Sequence, residues 1–590
     1  MCGIGGIMSR DGKEPDAIML NSFEEALRHR GPDGSGRHVN SSVAMLQTRL
    51  AIIDLATGDQ PLHAFRPSGD KVTLIANGEI FNYPELRDGL RECKFSTASD
   101  CEIPLHIYLR DGVQFAAQLR GMYAIAIHDP KKGRLILSRD PFGIKPLYYA
   151  ETATAFAFAS EAQALIRGGF VNAELDDSKA CEMLQLQFTT GKTTPFKAIK
   201  RVLPGETLVV HSGRIIERQS ISALPHYQLE YNDTRKSVLA LDEAFEESVR
   251  SHQLSDVPYG MFLSGGVDSS ALIAMMRRLN EKPVQAFTIG FDGSGDMPDE
   301  RLHAARVAKS VGAIHTEVGF NKHDFWSLLP RVAAALDDPV ADYAAVPTFK
   351  LAHFANQAGL KVILSGEGGD EILAGYGRYR RQARPWFFGG RRMWEKGILS
   401  GLGVLKDHGV GWRRGIQDVE DNLPVGMSPL QRAQALDCND WLPNDLLTKI
   451  DRCLMAHGIE GRVPFVDRFF ANFGFGLPDS CKVKGGQGKW ILRKWLEQEL
   501  PESEPYTKKR GFTVPVGEWI FVAGKRLGPL IAQQPGIQAL CHKEKIATLF
   551  TTSGKRQSQA QWVLLFFALW HQHHILGRPV EGDTFDMLDC

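Results

Sequence analysis

Two textures of hydrophobic and polar positions divide the chain. From residue 2 to about 218, short apolar runs are cut by Gly, Pro, Asn and Asp: VAMLQTRLAIIDL, KVTLIANGEIF, GMYAIAIHD, GRLILSRD and TAFAFAS. Alternating and β-branched residues bounded by turn formers predict strands. Helical interruptions are few, one of them around Glu24–Arg28. From about residue 236, apolar strands (YGMFL, VQAFTIGF, LKVILSG) alternate with helical segments (SSALIAMMRRL, DERLHAARVAKSVG, VPTFKLAHFANQAG). In the first of those helices Leu272, Met275, Met276 and Leu279 recur at helical spacing. Strands alternating with helices predict a parallel sheet covered on both faces. The Pro-, Gly- and polar-rich stretch 191–235 holds the junction, and the expected domains are 2–218 and 219–590.

A chain of 590 residues has room for two to four domains. Lys+Arg and Asp+Glu number 69 each, and the resulting zero net charge argues against a dedicated nucleic-acid binder. Nine cysteines form no CxxC pair, which suggests neither a zinc site nor a disulfide framework and fits a reducing compartment. The start, MCGIGGIMSRDG, lacks the charged and apolar regions of a signal peptide. The longest apolar run, Trp562–Trp570, is too short to span a bilayer and reads as a buried core helix. A cytoplasmic protein with no membrane or nucleic-acid partner is expected.

Cys2 directly follows the initiator Met. If that Met is removed, the thiol sits on the residue that carries the free α-amine, which can serve as its general base. A Met-Cys start alone is equally an inert small residue. Its surroundings change the reading: MCGIGGI, RHRGPDG (28–34), RLAIIDL (49–55), NGEIFNY (77–83), SDCE (99–102) and SRDPFGIKPLYY (138–149) resemble, in order, the blocks of class II glutamine amidotransferases. That resemblance implies an N-terminal-nucleophile αββα sandwich. It implies that Cys2 attacks the side-chain amide of glutamine and that Asn77 and Gly78 stabilise the oxyanion. Arg49 would clamp the α-carboxylate, and Glu79 and Asp100 would hold the α-ammonium group.

YGMFLSGGVDSSALIAMMRRL reads strand, glycine turn, helix. No Walker A pattern is present. Ser264, Gly265, Gly266, Asp268 and Ser269 lie where free backbone N–H groups and a helix N-terminus favour a pyrophosphate. SGGVDSS resembles the PP-loop of ATP pyrophosphatases, whose domain is a doubly wound parallel sheet. VILSGEGGDEILAGYGRY (362–379) ends a second strand and resembles the SGEGxDExxxGY signature of asparagine synthetases. LLTKIDRCLMAHGIEGRVPFVD (446–467), read as helix and loop, KWILRKW (489–495) and KKRGFTVPVGEW (508–519) agree with that family. The resemblance implies Asp268 and Asp370 as Mg²⁺ ligands, Glu367 as a polar residue at the acyl-adenylate, and Lys489 on the ATP phosphates. Backbone at Leu263, Ile289, Ser365 and Gly366 would complete the nucleotide site, and helices would extend the C-terminal end.

The implied reaction joins ATP, aspartate and glutamine into asparagine, glutamate, AMP and diphosphate through β-aspartyl-AMP, with ammonia passing between the sites. A homodimer is one possible assembly. One alternative keeps the architecture and amidates another carboxylate, with the Trp- and Arg-rich stretch 380–440 or the tail beyond 525 reshaping the acceptor pocket. An RNA-modifying enzyme and a non-catalytic relative are further alternatives, opposed by the zero net charge and by the presence of every motif residue.

Overall fold

The computed structural model describes residues 2–225, 228–229, 233–292, 300–406, 411–507 and 515–589. Twelve strands build a sandwich in the first part: β1 (Cys2–Ser9), β2 (Gly34–Asn40), β3 (Val43–Arg49), β4 (Leu62–Phe65), β5 (Lys71–Ile80), β6 (Gly121–Asp129), β7 (Arg134–Arg139), β8 (Tyr148–Glu151), β9 (Ala155–Ala159), β10 (Ile199–Arg201), β11 (Glu206–His211) and β12 (Arg214–Ser220). One sheet runs β10-β8-β9-β1-β3-β2 and the other β12-β11-β7-β6-β5-β4.

Side-chain alternation explains why the sheets stack. Ile4, Met8, Met45, Ile75, Ala124 and Phe158 fill one buried cluster between them. On the outer face of the first sheet, Ala44 and Leu46 join Phe23 and Leu27 of helix Ala17–Leu27. On the outer face of the second, Leu74 and Ile125 join Ile107 and Tyr108 of helix Ile103–Asp111. The result is the expected αββα order of layers.

The second part is a parallel sheet of β13 (Tyr259–Phe262), β14 (Gln285–Phe291), β15 (Ile314–Phe320), β16 (Val362–Leu364) and β17 (Glu460–Arg462), in the order β15-β14-β13-β16-β17. Near-continuous apolar strands are what burial on both faces requires. Val362 and Leu364 join one buried cluster with helix Val267–Leu279, and Ile363 joins another with helix Ala345–Gln357. The chain moves outward from β13 to β15 and then returns to β16 on the other side. The crevice between β13 and β16 is therefore the topological switch point, where open α/β sheets bind ligands.

One segment differs from the sequence reading. The stretch 446–467 is not only helix and loop, because Glu460–Arg462 pairs with β16 as the sheet's edge strand. In the stretch 380–440, Trp394 packs against Phe188 and Trp441, with the Arg378 guanidinium 5.1 Å from its ring centroid. Most of KKRGFTVPVGEW (508–514) lies outside the described residues. Trp562–Trp570 sits in helix Lys555–His574, each residue at most 4% exposed, as expected of a core helix. Among the described residues no helix is long and apolar enough to cross a membrane.

A buried ionic network joins the two parts. Arg30, from the sandwich, holds Asp451 by a two-pronged pair at 2.8 and 3.0 Å and Glu161 at 2.8 Å. Arg201 pairs with Asp338 at 2.7 and 2.6 Å, and the Tyr148 hydroxyl donates to the same carboxylate at 2.8 Å. Arg452 reaches Asp337 at 2.7 Å and Asp451 at 2.8 Å. Removing one partner of such a pair strands a buried charge, at a cost of about 3–5 kcal/mol. Asp451→Asn should therefore lower stability by about that amount and split thermal unfolding of the full chain into two calorimetric transitions. An unshifted single transition would contradict this role.

Candidate functional site

Cys2 begins β1 and faces Arg49 in the first rung of the β1–β3 ladder. Directly opposed residues of a ladder share a face. Cys2, Gln47, Arg49, Asn77 and Glu79 follow the same odd–even alternation as Ile4, Met45 and Ile75, so they continue the inner face of the sandwich. The seam is apolar along its length and becomes polar at this end.

The Cys2 backbone N–H donates to Asn77 Oδ1 at 2.9 Å, and Gln47 Nε2 donates to Cys2 Sγ at 2.9 Å. With its oxygen engaged, the Asn77 Nδ2 group is buried and has no hydrogen-bond partner. Such an orphaned donor beside a thiol suits charge that develops only during reaction. Gly78 has φ +145°, and a Cβ there would lie 1.9 Å from the Met122 carbonyl oxygen, so no other residue fits. Burial pushes the Cys2 thiol up, against the opposing pull of the Leu50 backbone N–H.

Arg49 is 8% exposed and holds the Asp54 carbonyl at 2.6 Å and Asp59 at 2.5 Å. Asp100 accepts from the Ile80 N–H at 2.7 Å. Burial raises Asp100 to about 6, and it raises Glu79 well above its ordinary range, with the Asp100 and Glu460 charges adding to it. The SRDPFGIKPLYY block plays a structural part. Asp140 accepts from the N–H groups of Phe142, Ile144 and Lys145, and the loop delivers Lys145 Nζ to the Gly461 carbonyl at 3.2 Å.

The second constellation lies at the switch point. Leu263 follows β13 directly, its N–H bonded to the Phe287 carbonyl at 2.9 Å, and Ile289 lies two residues past the last rung that β14 shares with β13. Gly265 turns at φ +68° and Gly266 caps helix Val267–Leu279. Ser264 and Ser269 hydroxyls meet at 3.1 Å across the turn. From the other side of the crevice, the Ser365 N–H bonds the Arg462 carbonyl at 2.9 Å. Gly366 follows it, and a Cβ there would touch Asp268 Cβ at 3.0 Å.

Lys489 joins the two loops. Its ammonium group pairs with Asp268 and, at 2.7 Å, with Asp370. It caps helix Trp490–Glu499 in the left-handed region at φ +55°, a conformation that a lysine adopts only when its surroundings enforce it. Glu367 stands 3.7 Å from Lys449, which is also held by Asp342 at 2.7 Å. Gly369 and Gly375 leave a cradle around the carboxylates: a Cβ on either would meet Asp268 at 2.5 Å or Asp370 at 1.8 Å. Two carboxylates from separate loops are a donor set that suits Mg²⁺, which takes one or two of them together with phosphate oxygens. Among the described residues no group of three or more His, Cys, Asp or Glu could hold a metal by itself.

All the anticipated residues thus fall into two constellations. The sequence reading missed Gln47, which alternation from Arg49 could have supplied, and Lys449 with Asp342, which only the tertiary fold brings together. It placed Glu460 and Arg462 in a family block without a role. Both lie beside Glu79 and Asp100.

An N-terminal nucleophile sandwich fused to a parallel sheet with glycine-rich loops at its switch point defines a two-part amidotransferase and ligase. A family model for a glutamine amidotransferase domain matches residues 1–220, and one for asparagine synthase matches 240–572. The chain belongs to the asparagine synthase family of carbon–nitrogen ligases. It is 30% identical to a glutamine-hydrolysing asparagine synthetase of Bacillus subtilis, over 98% of each chain. It is 32% identical to a putative one of Mycobacterium tuberculosis, over 98% of this chain and 99% of the relative. With asparagine synthetase B of Escherichia coli it shares 28% identity over 92% and 86%.

Asp100 illustrates what such a site costs. Its folded-state pKa is raised, so the folded protein holds the proton more tightly than the unfolded chain. Stability contributed by this group is therefore lost as pH rises from the ordinary carboxylate value to about 6. Asp100→Asn should raise stability at pH 8 by up to about 3 kcal/mol and leave it unchanged at pH 4. Denaturant titrations at the two pH values check this, and destabilisation at pH 8 would contradict it.

Proposed function

We propose that the chain is a glutamine-dependent asparagine synthetase, with a glutaminase part over 2–218 and a synthetase part over 219–590. The observation that carries the reading is the coexistence of two sites in one molecule with an apolar seam between them. In one buried cluster, Leu50, Phe81, Met122 and Phe142 of the sandwich meet Leu263, Val463 and Val466 beside the nucleotide loops.

In the first site the Cys2 thiol gives its proton to the α-amine freed by removal of Met1 and attacks the carboxamide carbon of glutamine, and the amine returns that proton to the departing nitrogen. The oxyanion is held by Asn77 Nδ2 and the Gly78 N–H, worth about 10²–10³ in rate for one such donor. Arg49 clamps the α-carboxylate, and Glu79 and Asp100 take the α-ammonium. Collapse expels ammonia and leaves a thioester that water hydrolyses to glutamate. Ammonia crosses the apolar seam in its neutral form, since an ion would be disfavoured there.

In the second site the turn Ser264–Ser269 and the backbone at Leu263, Ile289, Ser365 and Gly366 hold ATP. The aspartate side-chain carboxylate attacks the α-phosphorus and diphosphate leaves. Lys489 contacts the ATP phosphates. Mg²⁺, when bound, would be held by Asp268 and Asp370 with phosphate oxygens and would offset the charge of the leaving group. Ammonia then attacks β-aspartyl-AMP, Glu367 takes a proton from the nitrogen, and asparagine and AMP are released.

Cys2→Ala separates the two chemistries. Glutamine-dependent asparagine formation should fall at least about 10³-fold, while ammonia-dependent formation stays within about twofold. AMP and asparagine should appear in equal amounts when aspartate is the acceptor. AMP release without asparagine would sink the acceptor assignment, and loss of both activities would sink the division of labour.

A further inference from the structure

Strand β17 carries two charged side chains that neither reaction consumes. Arg462 is fully buried, and each of its nitrogens has a place. Nε lies 2.6 Å from Glu460 Oε1, and Nη1 donates to the carbonyls of His252 at 2.9 Å and Leu254 at 2.6 Å. Nη2 points at Glu79 across the boundary between the two parts, 3.5 Å from Oε1. That last distance is an ion-pair contact without a hydrogen bond, and both Arg462 Nη2 and Glu79 Oε2 are buried with no hydrogen-bond partner. The pair is therefore looser than a hydrogen-bonded one and has room to tighten.

Charge counting shows what would move it. Three buried carboxylates, Glu79, Asp100 and Glu460, meet around one guanidinium, with the Lys145 ammonium close by on the Gly461 carbonyl. Cations around Glu460, Arg462 and Lys145 among them, hold it down near about 2 against its burial, whereas Glu79 is driven up by burial and by Asp100. The negative charge in excess thus belongs to the glutamine side. A glutamine α-ammonium group arriving on Glu79 and Asp100 removes the pull of Glu79 on Nη2.

The main chain carries the consequence onward. The Arg462 carbonyl accepts the Ser365 N–H at 2.9 Å, and Arg462 pairs with Leu364 in the last β16–β17 rung. Ser365 opens the loop that holds Gly366, Glu367 and Asp370. One residue thus touches the amino end of the glutamine pocket with its side chain and the root of the adenylate loop with its backbone.

We propose that Arg462, paired with Glu460, is a positioning residue that makes occupancy of the glutamine pocket and of the nucleotide loop energetically interdependent. This rests on the reading of Glu79 and Asp100 as the glutamine α-ammonium site. Binding couplings of this kind are reciprocal.

Full-length Cys2→Ala protein, which holds glutamine without hydrolysing it, is the material for the test. Calorimetry should give a Kd for ATP with Mg²⁺ that glutamine shifts at least about fivefold, and a Kd for glutamine that ATP with Mg²⁺ shifts by the same factor. Adding Arg462→Lys should bring both ratios to about one. If that variant does not fold, judged by its melting curve, Glu460→Gln carries the test, because it keeps an acceptor for Nε and should at least halve the coupling ratio. Ratios of one in the Cys2→Ala parent, or unchanged ratios in the folded variants, overturn the proposal. Glutamine binding unaffected by Glu79→Gln overturns the pocket reading instead, and the two failures are separately visible.

Discussion

The buried pair between Arg30 and Asp451 is the constraint on which the remaining geometry depends. Arg30 also donates to the Cys2 carbonyl at 3.3 Å, so the cation that joins the two parts touches the first residue of β1. Desolvating such charges costs several kcal/mol per ion, and the cost is offset only where every partner is in place. Glu161, Asp337, Asp338 and Asp451 satisfy Arg30, Arg201 and Arg452 by bonds of 2.6–3.0 Å. A relative shift of an ångström would break several of these at once. The network therefore fixes the relative position of sandwich and sheet more tightly than apolar contact would, since an apolar interface tolerates sliding.

Fixing that position gives each site something it cannot supply alone. The polar mouth of the sandwich seam is open to whatever lies beyond β1 and β5, and what lies there is β17. Lys145 on the Gly461 carbonyl and Arg462 beside Glu79 close the mouth with groups from both parts. The raised pKa values of Glu79 and Asp100 follow from that closure, because desolvation is their largest cause. A mouth made of the sandwich alone would be wetter, and these two carboxylates would titrate closer to their ordinary range.

Much of this was legible in the chain, for a definable reason. Chemistry built on one strand end and the turn after it is contiguous in sequence. Cys2, Asn77 with Gly78, Ser264 to Ser269, and Ser365 to Asp370 could each be read as a block. The alternating texture predicted strands, the family resemblance implied their sandwich, and the strand–helix alternation predicted the parallel sheet. Illegible features depend on register between distant segments. Glu460–Arg462 contains no apolar alternation and is only three residues long, so its strand character comes wholly from pairing with Val362–Leu364. Trp394 stands in an Arg-rich stretch, and its partners are remote in sequence: its indole donates to Asp437 at 3.1 Å, and Arg378 pairs with the same carboxylate. Local composition carries no information about such partners.

Lys489 shows how the two scales meet. Its motif, KWILRKW, could be read locally as the start of an amphipathic helix. Its left-handed backbone and its bridge between Asp268 and Asp370 could not. A lysine held in that backbone region stores about 1–3 kcal/mol of strain. The carboxylates on the two loops would repel each other in a buried crevice if no cation stood between them. The strain and the repulsion are accepted together, because the ammonium group that relieves the second is positioned by the first. The Lys489 ammonium group thus holds the two carboxylate loops together across the switch-point crevice.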